Sequence, residues 1–574
     1  MFLLKRKVKN ETYLYFAQQI REGKTTKPQI MKSLGAFSKL LQKDPDILTH
    51  LQEELDKINN GEDSKIMIEL STAKNRNHSS YPIGHFLINK VIDSLNLVEP
   101  IKKGLKEARS EYDTSIIARD LISERIINSR SKFASYHSIS TNKLRNCNYS
   151  IHDVYRALSR IGLSLDSIVT EYAKLTRKCR DISIVNYDLT NFYFEIEEAD
   201  EQGIRQYGIS KEHRPNPIVQ MGLFINQDGF PIALNVNPGN TGEQQTPIPT
   251  QRLMAKAGIL SYVYCADSGI NSTEIKAFNN IMGRRYVVAQ SIKKMERAKQ
   301  EWALSNTGWK DSKGNKNLSL EDCPNNGFLY KEDKFKLEYK KRGLKKKYEI
   351  AERTIIIYSK NSKIWQDNIM DSQIDRALKK IRDGLRANPN SPDRLVSIDK
   401  VTKDGEVAEK EIRQLNTERI EDESRYHGFY AISSNILENE MEAMDVIAIN
   451  SGRWKIEDFF RTMKTTLDTR PIYLQNDESI KAHLLLCTLS VYVLSEIAAQ
   501  LKKVNIHATP NEIQEALQGV YATDRVIGYE LGHHHCAKKI DEIRKAIEKI
   551  YDLESLEKEV IKKNDLREIK KNLG

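Results

Sequence analysis

Two stretches decide the fold of this chain: Ile182-Ser-Ile-Val-Asn-Tyr-Asp188 and Ser261-Tyr-Val-Tyr-Cys-Ala-Asp267. Each is rich in strand-forming residues and ends on a carboxylate, so each predicts a β-strand with an aspartate at its end. Between them, apolar runs over 218–225 and 230–236 flank the turn Asn226-Gln-Asp-Gly229. An Asp-Gly turn between two such runs predicts a β-hairpin.

The segments around these strands complete the pattern of the core. We expect a bend at 189–190 and a second extended piece over 191–196. A helix is predicted over about 247–257, another from about Ser272, and a strand over 286–289. Strands that alternate with helices in this way indicate an α/β fold.

The segments outside the core differ in character. Residues 115–177 show helical spacing of apolar residues, and the last 70 or so residues are helical and heavily charged. Residues 293–424 break the rhythm with a basic, β-leaning stretch at 335–348. Because the core pattern resumes with a strand at 428–432, we interpret this part as an insertion.

Composition limits the class of protein. Hydrophobic residues make up 39% and charged residues 29% of 574 residues, which is typical of a soluble protein with several domains. The net charge of +11 favours a polyanionic partner, although an ordinary basic protein explains it equally well. The six cysteines form no CxxC pair, which indicates reduced thiols in a cytosol. The apolar stretch 484–494 is shorter than the roughly 20 residues that a bilayer needs and predicts a buried helix.

Asp188 and Asp267 are the first candidate functional residues. An ionised carboxylate at the end of a buried strand is costly unless it is paired or binds a cation. Two such groups on neighbouring strands suit a hard divalent cation such as Mg²⁺. Each can also simply cap the turn or helix that follows it, and for the pair the two interpretations are about equal.

A third carboxylate lies in the predicted helix Arg453-Trp-Lys-Ile-Glu-Asp-Phe-Phe-Arg-Thr-Met-Lys464. Steps of four and seven residues return to one face, so Arg453, Glu457 and Lys464 form a polar stripe. Four apolar residues line another face and would pack on the sheet: Ile456, Phe460, Met463 and Leu467. From spacing alone, an exposed Arg–Glu–Lys ladder is the better explanation of the stripe.

Short motifs occur along the chain, and together they are more specific than any one of them alone. In chain order they are Tyr187-Asp-Leu-Thr190, Lys211-Glu-His-Arg-Pro-Asn216, Pro238-Gly-Asn-Thr241, Ala266-Asp-Ser-Gly269, Gly428-Phe-Tyr-Ala-Ile432, Arg453 through Lys464, Asp468-Thr-Arg-Pro-Ile-Tyr473 and Ala482-His483. Their order and spacing over about 180–500 resemble the DDE transposases of bacterial insertion sequences. The closest branch belongs to the insertion sequence four superfamily and carries a Tyr–Arg–Glu–Lys signature around its catalytic Glu. The opening that ends in Ser33-Leu-Gly35 also resembles the N-terminus of that family.

The resemblance implies an RNase-H-like catalytic core interrupted by a β-rich insertion domain, with helical N-terminal and C-terminal regions. It places Asp188, Asp267 and Glu457 as catalytic ligands of two Mg²⁺ or Mn²⁺ ions. Such a pair of ions activates a water or a 3′-hydroxyl and stabilises the leaving oxygen of an in-line phosphoryl displacement. The implied activity is cleavage of transposon terminal inverted repeats and joining of their 3′ ends to target DNA. Because two ends of double-stranded DNA must be paired, a homodimer is expected in the complex.

The resemblance also suggests which residues bind DNA, since cationic side chains suit phosphate groups. These candidates are Arg453, Trp454, Lys464, His213, Arg214, Lys340, Lys341, Arg342, Lys345, Lys346 and Lys347. The basic run at 340–347 can also be a solvated face. A structural turn fixed by Pro215 and Pro217 explains the motif around His213 about equally well.

One position departs from the family's signature. The signature Tyr falls at position 450, where this chain has Asn450. In the family that Tyr is thought to hold a phosphate or base near the transposon end. The contact is therefore lost here or supplied elsewhere, whereas the three carboxylates are intact.

Two further features have competing explanations. Trp302, Trp309 and Trp365 lie near the basic run and could stack on an extruded base, although a Trp is more often a core residue. His533-His-His-Cys536 carries metal-ligand side chains, but consecutive residues do not all turn to one ion in regular structure. We interpret that cluster as a cap or loop feature.

The predicted organisation has six segments. They are an N-terminal DNA-binding region (1–110), a helical linker region (111–180), the first part of the core (181–292), the insertion domain (293–424), the second part of the core with the catalytic Glu (425–500) and a C-terminal helical region (501–574). We expect a bacterial cytoplasmic protein associated with the nucleoid and with no membrane partner. The alternatives are a DNA-binding relic without catalysis, a metal-dependent nuclease without strand transfer and, disfavoured by the positive charge, a glycoside hydrolase.

Overall fold

The computed structural model describes residues 1–8, 11–22, 25–60, 79–105, 112–340, 347–383, 392–401, 407–524 and 529–551. The chain divides into two compact units, Met1–His78 and Ser79–Gly574.

In the first unit, an antiparallel meander packs on helices. Its described elements are β1 (Phe2–Val8), β2 (Glu11–Glu22), β3 (Thr25–Ala36), α1 (Phe37–Lys43) and α2 (Ile47–Asn60). The strands are ordered β1-β2-β3. Leu14 and Phe16 of β2 form a small core with Leu51 and Leu55 of α2. The N-terminal region is thus not wholly helical, in contrast to what the resemblance implied, because β1–β3 form its first part.

The second unit contains the remaining strands. Those in its described part are β4 (Ser80–Pro82), β5 (Ile184–Tyr193), β6 (Ile218–Asn226), β7 (Pro231–Pro238), β8 (Val263–Ala266), β9 (Arg285–Gln290), β10 (Lys310–Asp311), β11 (Leu329–Lys340), β12 (Lys347–Tyr358), β13 (Val396–Val401), β14 (Val407–Leu415), β15 (Phe429–Ser434), β16 (Val520–Asp524) and β17 (Tyr529–His533).

Helices surround these strands. Those in the described part are α3 (Gly84–Ser94), α4 (Glu99–Gly104), α5 (Thr114–Ile127), α6 (Lys132–Thr141), α7 (Ile151–Leu163), α8 (Leu165–Cys179), α9 (Pro247–Lys256), α10 (Thr273–Ile281), α11 (Arg297–Leu304), α12 (Lys360–Arg382), α13 (Thr417–Ser424), α14 (Ala443–Ser451), α15 (Trp454–Thr465), α16 (Asp477–Lys503), α17 (Pro510–Gln518) and α18 (Lys538–Ile550).

A large mixed sheet organises the second unit. Its strand order is β10-β11-β12-β15-β9-β8-β5-β6-β7. β5, β8 and β9 run parallel to one another, whereas the other neighbours pair antiparallel. Smaller sheets are formed by β13-β14 and by β17-β16-β4. The predicted α/β fold is confirmed.

The β6–β7 hairpin also forms as predicted, and its turn has a local cause. Asn226 Oδ1 accepts hydrogen bonds from the backbone N–H of Asp228 (3.1 Å) and Phe230 (2.9 Å). Gly229 takes a φ of +94°, a conformation that costs glycine little because it has no Cβ. The turn therefore fixes the register of two largely buried strands.

The predicted bend at 189–190 is wrong. β5 is continuous from Ile184 to Tyr193, and it pairs with β6 along this whole length. Asp188 therefore lies inside β5, opposite Leu223, and not at a strand end. Pairing with β6 supplies the hydrogen bonds that carry the strand past the carboxylate.

Strands from the stretch interpreted as an insertion extend the central sheet. β11 and β12 form a long hairpin, and β12 then pairs with β15, where the core pattern resumes. In the same stretch, Met370 and Ala377 of α12 form a separate small cluster with Leu395. This part of the chain thus contributes both to the sheet and to a cluster of its own.

The helix α16 lies at the centre of the helical part of the unit. It packs against α3, α5, α7, α15, α17 and α18, and its apolar residues belong to the same core as the face of the sheet. Asn476 caps its first turn by accepting from the N–H of Ser479, and Lys502 and Lys503 lie in its last turn. Among the described helices it is long and apolar enough to cross a membrane, but 78% of its most apolar window is buried inside the protein. The predicted buried helix is confirmed.

Gly162 of α7 tests the packing against α16. A Cβ at this position would lie 1.9 Å from the backbone oxygen of Glu478, so Gly162→Ala forces two helices apart. We expect a loss of about 1–3 kcal/mol in the free energy of unfolding, measured by urea denaturation. The control is Gly519→Ala, where the nearest atoms are 3.5 Å away and the change should be within about 0.5 kcal/mol. Equal stabilities of the two variants would contradict this packing.

Candidate active site

The parallel pairing of β5 with β8 brings the two predicted aspartates together. Tyr187 of β5 is in register with Ala266 of β8, and each is followed directly by an aspartate. Asp188 and Asp267 therefore lie side by side on neighbouring strands. Their mutual repulsion is one of the causes that raise the pKa of Asp188.

Asp188 is the more enclosed of the two. Burial raises the pKa of its carboxyl above the usual range, and the ammonium of Lys211, 3.7 Å away, offsets this in part. Its Oδ1 accepts a hydrogen bond from the N–H of Leu189 at 2.7 Å. The cost of burying the negative charge of Asp188 is thus only partly offset by neighbouring groups of the protein.

Asp267 is half-exposed and is held by the chain that follows it. Its Oδ1 accepts from the N–H of Ser268 at 2.7 Å. The same oxygen lies 3.2 Å from Nη2 of Arg453, which precedes α15. This ion pair connects the end of β8 with the start of the helix that carries Glu457.

The helix α15 packs as its apolar pattern predicted. Ile456, Phe460, Met463 and Leu467 are all buried. The polar stripe does not form an Arg–Glu–Lys ladder, because Arg453 pairs with Asp267 and Lys464 with Glu212. Glu457 is exposed, and within the described part of the chain its carboxylate has no ion pair.

The carboxylates suit a divalent cation, although they do not form a closed set of ligands. Among the residues that the structure describes, no three His, Cys, Asp or Glu side chains form a ready-made metal site. Asp188 and Asp267 nevertheless fit such an ion, because adjacent carboxylates, one of them about four-fifths buried, are hard anionic ligands. Glu457 lies one helical turn beyond Arg453, the partner of Asp267. The structure thus brings two of the three predicted ligands together and places the third on the adjoining helix.

Asn450, at the position where the family signature has a tyrosine, contacts a tyrosine from another element. Asn450 is buried, and its Nδ2 lies 3.1 Å from the hydroxyl of Tyr430 on β15. Nη1 of Arg453 donates to the same hydroxyl at 3.1 Å. Tyr430 and Lys211 are neighbours of the aspartates that the sequence-based prediction omitted. Both lie in motifs of the set that carries the resemblance. The spacing of those motifs does not indicate that Lys211 contacts Asp188 or that Tyr430 contacts Arg453, each about 23 positions away.

A cationic surface extends from Asp188 along β5. Arg214 lies over the ring of Tyr193, with 4.1 Å between its guanidinium carbon and the ring centroid. Glu212 forms ion pairs with Lys464 and Arg470. Burial lowers the pKa of Lys464. Two of the predicted DNA-binding cations, Arg214 and Lys464, thus lie against aromatic rings of the strand that carries Asp188.

The motif around His213 also forms a turn, as the competing interpretation held. His213 has a φ of +55° and donates its backbone N–H to the carbonyl of Ser210. The side-chain oxygen of Ser210 accepts from the N–H groups of Glu212 and Arg214. His213 and Arg214 are both exposed at this turn, so the structural explanation does not prevent them from contacting DNA.

The other predicted DNA-binding residues lie farther along the chain. Trp454 is 60% exposed. Lys340 and Lys347 face each other at the end of the β11–β12 hairpin, and both are exposed. Lys341, Arg342, Lys345 and Lys346 lie outside the described residues.

The three tryptophans of the 293–424 stretch have different environments. Trp309 is fully buried, and Trp302 packs edge-on against Phe335. Trp365 is 64% exposed and lines a cavity of about 490 Å³ together with Tyr430. Trp309 is therefore a core residue, as is usual for this residue type.

The histidine cluster divides between different partners. His533 ends β17 and its Nε2 lies 3.0 Å from a carboxylate oxygen of Glu548. The ring of His534 packs on that of Tyr521, with centroids 4.6 Å apart. The cluster connects a strand to α18, in keeping with its interpretation as a loop feature.

A comparison with known families gives a match over the central part of the chain. The family model described as the Transposase DDE domain matches residues 194–494, just over half of the chain. The matched range contains Asp267, Arg453, Glu457 and Lys464, and it begins six residues after Asp188. A comparison with curated proteins found no match.

Asp188→Asn should stabilise the protein in metal-free buffer at neutral pH. Burial raises the folded-state pKa of this carboxyl, so its ionised form disfavours the folded protein. The penalty is absent below the ordinary carboxyl pKa of about 3.8, grows as pH rises through the raised folded-state pKa, and is complete above it. Thermal melting across pH should therefore show an advantage of the variant that grows with pH. A variant less stable than the parent at pH 7 would contradict this electrostatic account.

Proposed function

The chain belongs to the DDE transposase family, and from this premise we propose that it cleaves transposon ends and joins their 3′ ends to target DNA. The observation that carries the proposal is the pair Asp188 and Asp267, placed side by side by the β5–β8 register. Arg453 forms an ion pair with Asp267, and the exposed Glu457 follows one turn later, in α15. Among the family's branches, we assign the chain to the insertion sequence four superfamily with the Tyr–Arg–Glu–Lys signature.

The proposal includes an RNase-H-like catalytic core. Its support is the strand order β7-β6-β5-β8-β9, in which an antiparallel meander is joined to parallel strands around β5. Asp188 lies on β5, the middle strand of this part of the sheet, and Asp267 directly follows the neighbouring strand β8. The six-segment organisation, with an insertion between Asp267 and Glu457, belongs to the same proposal.

We assign Asp188, Asp267 and Glu457 as the ligands of two Mg²⁺ or Mn²⁺ ions. Bound there, the ions would activate the attacking oxygen and stabilise the leaving one in an in-line displacement. Asp188 gains most from a cation, because its burial is incompletely offset by Lys211. Arg453 is placed to balance the negative charge that develops on the reacting phosphate.

The cationic surface along β5 is the proposed path of the DNA backbone. Arg214, Lys464 and Arg470 lie on it, and Glu212 partly neutralises two of them. Phosphate groups that approach this surface can replace that carboxylate as the partner of the cations. The exposed Trp454, and Lys340 and Lys347 at the paired ends of β11 and β12, are further proposed contacts. Because two transposon ends must be held together, we propose a homodimer on the DNA, acting on the nucleoid in a bacterial cytoplasm.

Glu457→Gln tests the catalytic assignment. The substitution keeps the shape of the side chain and removes the anionic charge, so metal-dependent cleavage should fall roughly a thousand-fold. The measurement is single-turnover cleavage and strand transfer of a labelled duplex that carries the terminal repeats flanking the coding sequence, with Mg²⁺ and with EDTA. EDTA should abolish the activity of the parent protein.

The matched control is Asp458→Asn, one residue away on α15. Asp458 is paired with Arg461 at the surface, so its loss should leave cleavage within about twofold. Cleavage without joining would instead identify a nuclease. Tight DNA binding by a parent protein that never cleaves would leave the DNA-binding relic as the function.

Arg214→Ala tests the proposed path of the DNA. Removing one phosphate contact should weaken binding and reduce the slope of log Kd against log salt by about one. The measurement is fluorescence anisotropy of the same duplex over a series of KCl concentrations. Arg156→Ala is the control, because Arg156 is an exposed cation on α7, paired with Asp153 and distant in sequence from the motifs. Equal slopes for the two variants would exclude Arg214 from the interface.

A further inference from the structure

The hydroxyl of Tyr430 lies between the side chain of Asn450, which is in α14, and that of Arg453, which precedes α15. It accepts a hydrogen bond from Nη1 of Arg453 at 3.1 Å. The buried amide of Asn450 faces it through Nδ2 at 3.1 Å and through Oδ1 at 3.4 Å. Tyr430 itself belongs to β15, which pairs with β12 and β9, so its ring is carried by the sheet.

This contact fixes the guanidinium of Arg453 at a second point. Nη2 of Arg453 forms an ion pair with Asp267, and Nη1 donates a hydrogen bond to the Tyr430 hydroxyl. Because the guanidinium is planar, two contacts through different nitrogens define its orientation. The contact with Asp267 depends on the charge of that carboxylate, whereas the contact with the neutral phenol does not.

We propose that Tyr430 is a positioning residue, which holds Arg453 in place for the reacting phosphate when Asp267 engages a metal ion. The inference rests on the proposed function and assigns Tyr430 a role within that same site. A cation that binds Asp267 competes with Arg453 for its oxygens, and the hydroxyl then keeps the guanidinium at the site. An arginine held in advance stabilises developing charge without reorganisation.

The same geometry explains the residue at position 450. The side chain of Asn450 ends at the Tyr430 hydroxyl, so a tyrosine at 450 would need the space that the Tyr430 ring end occupies. A short amide fits there and donates a hydrogen bond to the hydroxyl. The chain thus has a tyrosine hydroxyl near Arg453, supplied by the sheet and not by α14.

Tyr430→Phe tests the inference, because it removes the hydroxyl and keeps the ring. At saturating concentrations of the terminal-repeat duplex, the single-turnover cleavage rate should fall roughly tenfold, as expected for a lost hydrogen bond to a charged group. The Kd for the duplex should stay within about twofold. The control is Tyr207→Phe, a half-exposed tyrosine whose hydroxyl donates to the carbonyl of Glu197.

A double variant separates positioning from general damage. In the background of Arg453→Lys, which lacks the planar fork, Tyr430→Phe should cause little further loss of rate. A Tyr430→Phe protein that cleaves at the rate of the parent would overturn the inference and leave the proposed function intact. Substitutions that lower the rate independently of each other would overturn it as well.

A second readout does not depend on cleavage. Thermal melting of the parent, Tyr430→Phe, Arg453→Lys and the double variant measures the coupling between the two side chains. The loss of Tm in the double variant should be smaller than the sum of the single losses. If the parent protein does not cleave DNA, the proposed function fails, and additive losses of Tm then also overturn the pairing of Tyr430 with Arg453.

Discussion

The parallel register of β5 and β8 is the constraint on which the rest of the site depends. It sets two carboxylates side by side, and one of them, Asp188, lies within a strand at the edge of a buried core. Like charges this close are costly unless cations compensate them. The compensating cations come from elsewhere in the chain: Lys211 from the segment before β6 and Arg453 from the start of α15. The fold therefore has to bring distant segments to one edge of the sheet.

Apolar packing, and not ion pairing, holds α15 in its place. The buried face of the helix, with Ile456, Phe460 and Met463, belongs to the large core that joins the sheet to α16 and the other helices. That core fixes the axis of the helix, and the positions of its polar side chains are therefore fixed as well. Arg453 reaches Asp267 at one end, and Lys464 reaches Glu212 at the other. The cations of these ion pairs are largely buried, so the cost of desolvating them offsets much of the attraction. Burying the apolar side chains contributes several kcal/mol in total.

Local pattern was sufficient to predict much of this arrangement. The strand runs, the Asp-Gly hairpin, the apolar face of α15 and the position of Asp267 after β8 all follow from periodicity and turn chemistry. The predictions that failed concern contacts between segments that are far apart in the sequence. The continuation of β5 past Asp188 depends on its pairing with β6, and the joining of β12 to β15 depends on which sheet edge is open. Contacts such as Tyr430 with Arg453 require two elements to be docked, and no spacing within either motif encodes that.

The charge balance of the site connects its structure to its chemistry. Arg453 and Lys464 each have an anionic partner, so the carboxylate of Glu457, which lies between them in sequence, is left without an ion pair in the described part of the chain. Asp188 keeps a raised pKa in spite of Lys211. A site optimised for stability alone would pair these groups or replace them with neutral ones. A site that binds cations needs the opposite, because anionic ligands already satisfied by the protein would have to lose those partners first. The incomplete compensation of Asp188 is therefore what the proposed metal-dependent reaction would require of the protein.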